Sequence, residues 1–175
     1  ESLLSEKEKS GLIQMREEEK LARDVYTTLG AKWGMRVFSN IASSEQTHTD
    51  AVKVLLDRYG ISDPSSDGTV GVFHSADMQK LYDTLTETGL RSLGDALIVG
   101  ATIEDLDIRD LDVLMKSTDK QDILVTYSNL QKGSRNHMRA FVKNITSSGG
   151  TYAPQYITQD AFSVIITAPQ ERGRM

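Results

Sequence analysis

Apolar residues recur along this chain at the alternating three- and four-residue spacing of helices that bury one stripe, and that spacing predicts four long helices. The first runs from about Ser5 to Ala31, opened by the capping-box pattern Ser5-Glu-Lys-Glu8 and broken by Gly30 and Gly34. The second runs from about Met35 to Tyr59 and stops at Gly60, with Pro64 shortly after. Ile61 to His74, rich in Ser, Asp and Gly, reads as a long crossover within one domain. Helical character resumes at Ser75-Ala-Asp-Met78, and an unbroken helix to Lys116 would be roughly 60 Å long, so a break is placed at Gly89. A short helix therefore precedes a third long one, from about Leu90 to Met115. Ser117-Thr-Asp119 reads as a turn and N-cap, and the fourth long helix extends to about Thr146, before Ser147-Ser-Gly-Gly150. The expected fold is all-α: a four-helix bundle over residues 1–148 with a long crossover between its second and third helices, and an irregular C-terminal arm over 149–175. The arm carries Tyr152, Pro154, Tyr156, Phe162 and Ile165, apolar enough to pack on its own bundle or on a neighbouring copy.

Each long helix has an inward seam, and each seam is interrupted. The first reads Leu12, Met15, Glu19, Ala22, Tyr26; the second reads Ile41, Glu45, His48, Val52, Leu55. The third reads Leu97, Ala101, Glu104, Ile108, Leu111, and the fourth Tyr127, Leu130, Ser134, His137, Phe141. Counting from the turns places Glu19 level with Glu45 and His48, each roughly 20 Å along its axis from the turn near Lys32. Glu104 is matched in the same way with Ser134 and His137 across the turn near Thr118. One polar layer across four helices follows. No lysine or arginine lies on these seams, so buried carboxylates there lack a countercharge, and a bound metal would supply it.

Composition narrows the donor chemistry. The chain of 175 residues has no cysteine, which leaves oxygen and imidazole donors suited to iron or manganese, with zinc also possible. Its net charge of -5, from 20 basic and 25 acidic residues, provides no global field for nucleic acid. No apolar run reaches the roughly 20 residues of a membrane span. The chain starts at Glu1, so a removed leader stays open, and with it a cytoplasmic or an exported location for a soluble domain.

Glu19-x-x-Ala22-x-x-x-Tyr26, followed by Glu45-x-x-His48-x-x-Ala51 and a long crossover, resembles the ferritin-like superfamily that includes bacterioferritins and rubrerythrins, over roughly Ser5 to Thr146. Gly100-Ala-Thr-Ile-Glu-Asp-Leu-Asp107 and Gly133-Ser-Arg-Asn-His137 resemble an uncharacterised prokaryotic branch of it. The resemblance implies a carboxylate-bridged centre of one or two ions per chain, with Glu19 and His48 as terminal ligands and Glu45 as a bridge. Glu104 would be the third helix's carboxylate and His137 the fourth helix's histidine. It also implies iron oxidation or reduction of oxygen or peroxide, with a small oxidant as partner; the apolar arm leaves a homo-oligomer open. The superfamily's second Glu-x-x-His is broken here by Ser134, and Asp107, one turn after Glu104, is the candidate replacement. The alternative is a metal-binding module without turnover, or a partner-binding bundle whose site has decayed.

Off the seams the reading is plainer. Glu17 and Glu18 are expected at the surface, as is most of the acidic run Asp105, Asp110 and Asp112, and His74 is expected in solvent. Arg135 and Arg139 are expected at the surface, beside the site, or paired with acids of the third long helix.

Overall fold

In the computed structural model, which describes residues 3–172, the chain is all-α, with six helices and no strand among the described residues. They are α1 (Glu6–Trp33), α2 (Arg36–Arg58), α3 (Ala76–Gly89), α4 (Leu93–Met115), α5 (Gln121–Ser147) and α6 (Gln159–Thr167). The Ser5 side chain accepts from Glu8 N at 3.0 Å while Glu8 Oε1 accepts from Ser5 N at 2.9 Å, so the capping box forms reciprocally. Gly34, at φ 67°, ends α1 in the left-handed conformation and donates its N–H to Gly30 O.

Gly30 does not break α1. It stays inside the helix, where a Cβ would stand 3.2 Å from Phe38 Cβ, and so it lets α2 approach closely. Asp119 is not the cap of α5, because Lys120 precedes the helix and no side chain caps it. The C-terminal arm is not irregular throughout, since Thr158 caps the nine-residue α6 by accepting from Ala161 N.

Helix α1 packs along α2 and α4 along α5, and α1–α4 and α2–α5 contacts join the two pairs. Helix α3 lies against α1 and α4, and α6 against α5. All the seam positions named above are buried. They divide into two apolar regions. One gathers Ala22, Tyr26, Ile41, Ala101 and Phe141; the other gathers Met15, Val52, Leu111, Leu130 and Tyr127. On every one of these four helices the polar residues fall between a member of one region and a member of the other. Phe162 and Ile165 of α6 cover Ile108 and Met138. Among the described residues no helix is long and apolar enough to cross a membrane.

The crossover between α2 and α3 is tied to α1 by buried cations. Arg16 donates through Nε and Nη2 to the two oxygens of Asp63, both at 2.9 Å, and through Nη1 to Thr49. Lys20 pairs with Asp24 at 2.6 Å and donates to the carbonyls of Thr69 and Val72. These cations point away from the seam, so the polar layer keeps its excess of carboxylates.

Candidate metal centre

Glu45 stands at the middle of the layer. Its Oε2 is 3.1 Å from Nδ1 of His48, one turn on along α2, and its Oε1 is 2.9 Å from Nδ1 of His137 on α5. Glu104 Oε1 of α4 lies 3.0 Å from that same His137 nitrogen, and Glu19 Oε2 of α1 lies 3.3 Å from His48 Nδ1. Four helices thus each deliver at least one donor. Two clusters result, Glu19 with Glu45 and His48, and Glu45 with Glu104 and His137, each with its donor atoms within 4.8 Å of one another. Glu45 belongs to both. The two imidazole rings stack at a centroid distance of 5.6 Å.

The donors are buried and short of partners. Both oxygens of Glu19, Nε2 of His48, Oε2 of Glu104 and Oδ1 of Asp107 accept or donate no hydrogen bond. An unsatisfied buried polar atom costs about 1–3 kcal/mol, so several in one layer is a concentrated expense of folding energy. Donors held at about 2.1 Å by one ion stand about 3.0–3.4 Å apart, and the 2.9–3.3 Å separations here match that spacing closely. These separations are also hydrogen-bond distances, and the residues present could hold a metal ion.

The electrostatics are those of crowded acids. Burial, and then the Glu45 charge, push Glu19 and Glu104 well above the usual carboxylate range. Burial, and then Glu19, do the same to Asp107. Burial also opposes ionisation of Glu45, but the adjacent Glu19 carboxyl and the neighbouring His137 and His48 outweigh it and hold Glu45 well below that range. Burial would lower His48, yet the Glu45 carboxylate overrides it and the imidazole is raised. The hydroxyl of Tyr26 donates to Gly100 O at 3.3 Å, and burial raises its pKa well above the ordinary phenol value.

Of the residues singled out in the sequence, Glu19, Glu45, His48, Glu104 and His137 are brought together. Asp107 falls outside both clusters. Its Oδ2 accepts from Ser134 Oγ at 2.6 Å, so Ser134 of α5 holds an α4 acid and offers no carboxylate of its own.

Several off-seam expectations are overturned. Glu17 and Glu18 are 2% and 1% exposed, because α1 is enclosed by α2, α3 and α4 and the whole stretch from Met15 to Ala22 is buried. Glu17 accepts from Ser75 N at the entry to α3. Asp105 is wholly buried and accepts the backbone N–H groups of Gln155, Tyr156 and Ile157 and the hydroxyl of Tyr152. Arg135 and Arg139 pair with Glu171 of the arm, at 2.7 and 3.0 Å, and not with α4. His74 is exposed, as its loop setting predicts. Sequence reasoning also missed Ser44, whose hydroxyl lies 3.1 Å from Nε2 of His137. It sits one residue off the α2 seam beside Glu45, and nothing in its spacing marks it.

Residues 8–169 match a family described as an uncharacterized protein domain, DUF2202. The chain is 56% identical over 170 residues to the uncharacterized protein MJ0754 of Methanocaldococcus jannaschii, covering 97% of this chain and 92% of that one. It superimposes on the crystal structure of the hypothetical protein MJ0754 with a TM-score of 0.96 at 54% identity, over 98% of both chains. The chain belongs to the DUF2202 family.

Proposed function

We propose that this protein is a ferritin-like four-helix bundle, formed by α1, α2, α4 and α5, that binds one or two transition-metal ions in its core. The observation that carries this reading is the position of Glu45, whose two oxygens each face a different histidine and so join two donor clusters through one carboxylate. Glu19 and His48 would hold one ion, Glu104 and His137 another, with Glu45 shared. The donor set is all oxygen and imidazole, which favours iron or manganese, with zinc also accommodated. A redox-active ion held there supplies one-electron chemistry toward iron, oxygen or peroxide.

The protein's own contribution is placement and exclusion of water. The apolar regions on both sides of the layer keep the local dielectric low, which strengthens attraction between the carboxylates and a cation. Ser44 orients His137 through Nε2, leaving Nδ1 toward Glu45 and Glu104. Ser134 favours a second reading, metal binding without turnover, because it leaves α5 one carboxylate short and ties down Asp107.

The test is elemental analysis of protein purified without chelator and loaded anaerobically with iron, beside the Glu45→Ala, His48→Ala double variant. About one or two ions per chain in the parent, lost in the variant, is the expected result. Near-zero metal in both would overturn the proposal. Oxygen and peroxide consumption by the loaded parent, measured against free iron, then separates the redox reading from binding alone.

A further inference from the structure

Beyond the two clusters the core holds an acid that they do not use. Glu18 of α1 is 1% exposed, its Oε1 has no partner, and the carboxyls of Asp107 and Asp110 of α4 face it. Asp107 also has an unpartnered oxygen, Oδ1, and on its inner side it faces Glu19. On the outer side the Gln14 side-chain amide bridges Glu18 Oε2 and Asp110 Oδ2, both at 3.3 Å. Asp110 is 13% exposed and is paired at its rim with Arg109. Gln14 lines, together with Glu17 and Asp77, an open depression of about 360 Å³ between α1 and the start of α3. Neighbouring carboxyls therefore follow one another between α1 and α4, from Asp110 through Glu18 and Asp107 to Glu19, with the Gln14 amide between them and the depression.

Nothing in packing calls for this succession. A glutamate buried without a cation beside it is unfavourable, and the two cations nearest along α1, Arg16 and Lys20, are spent on Asp63 and Asp24. Successive carboxylates, of which the two inner ones, Glu18 and Asp107, each keep a free oxygen, suit a cation that sheds its water stepwise and passes inward. We propose that Asp110, Glu18 and Asp107 are the entry route by which divalent cations reach the Glu19 end of the metal centre. This rests on the metal-centre reading. Glu18 is a transit station and not a ligand of the final site, so it governs the rate of loading and not the affinity once loaded.

The probe is cobalt(II), mixed with metal-free protein by stopped flow and followed through the visible absorption it gains on coordination. Glu18→Gln and Asp110→Asn each remove one charge from the route, and Glu87→Gln removes one from the exposed side of α3 as a control for the overall field. Loading slowed at least tenfold in both route variants, within the range by which a charged channel alters on-rates, is expected, with Glu87→Gln at the parental rate. Because a transit station lowers the barrier in both directions, release to excess chelator slows by the same factor, and equilibrium affinity and stoichiometry stay within twofold of the parent. Parental rates in both route variants would overturn the route while leaving the metal centre intact. So would a matching slowdown in Glu87→Gln, or an affinity that weakens in step with the on-rate. Failure of the parent to bind cobalt at all would overturn the route and the metal centre together.

Discussion

Ser134 donates its hydroxyl to Oδ2 of Asp107 at 2.6 Å, joining α5 to α4 within the buried polar layer. With Oδ1 of Asp107 already unpartnered, this is the contact that fixes the acid. Ser134→Ala should destabilise the protein by about 1–2 kcal/mol, the cost of stripping a buried acceptor of its partner. The midpoint of urea unfolding measures it. An unchanged midpoint would mean that Asp107 finds another donor.

Asp105 is the anchor of the arm, collecting three backbone N–H groups and a phenol on one carboxylate. Asp105→Ala should release residues 150–157 while α1 to α5 stay folded, with a local loss of about 3 kcal/mol, as for hydrogen bonds to a buried charge. Hydrogen exchange at Gln155, Tyr156 and Ile157 would accelerate, and limited proteolysis would cut there first. Unaltered exchange at those three amides would refute the anchor.

Glu171 closes the arm from its other end. The hydrogen bond from Arg135, reinforced by Arg139 against a modest burial penalty, holds its carboxyl down to about 2. A carboxylate depressed in the folded state stabilises the fold fully above its unfolded value of about 4.3, and that contribution fades as pH falls toward about 2. The arm should therefore loosen between about pH 4 and pH 2. Glu171→Gln should be looser at neutral pH and should flatten that part of the pH dependence. Acid-protease cleavage of the arm, followed across this range in both proteins, reads the difference; parallel profiles would show that other carboxyls dominate.

Gly100 of α4 lies against Phe141 of α5, on the polar layer's flank. A Cβ there would stand 2.5 Å from Cε1 and Cζ of Phe141, a buried ring with no free side to move into. Alanine would gain about 1 kcal/mol of helix propensity but cost about 1–3 kcal/mol in overpacking. Gly100→Ala should thus lower stability by up to about 2 kcal/mol net, measured by thermal or urea unfolding. Equal or greater stability would show that the two helices part without cost.

The seams of α1, α2, α4 and α5 were legible because helical periodicity is local: Glu19, Glu45, His48, Glu104, Ser134 and His137 interrupt apolar stripes wherever those helices pack. Counting from the turns placed them at one height for the same reason, since rise per residue is constant. The Ser5 capping box and the stop at Gly34 were equally local. Asp107, one turn after Glu104, shows where that reasoning stops, because spacing says which way a side chain faces and not which neighbour it meets.

Local pattern was therefore enough for an all-α chain with acids and imidazoles on its inward stripes. Packing between distant segments settled which surfaces count as inward. Periodicity assumes one buried stripe per helix, yet α1 is covered by α2, α3, α4 and the crossover, which draws Glu17, Glu18, Arg16 and Lys20 inside. Asp105 is buried because an arm fifty residues away needs its carboxylate, and Arg135 and Arg139 take Glu171 for the same reason. Burial off the seam depends on contacts between segments distant in sequence, and pairing energies of that kind leave no period in the chain for local reading to find.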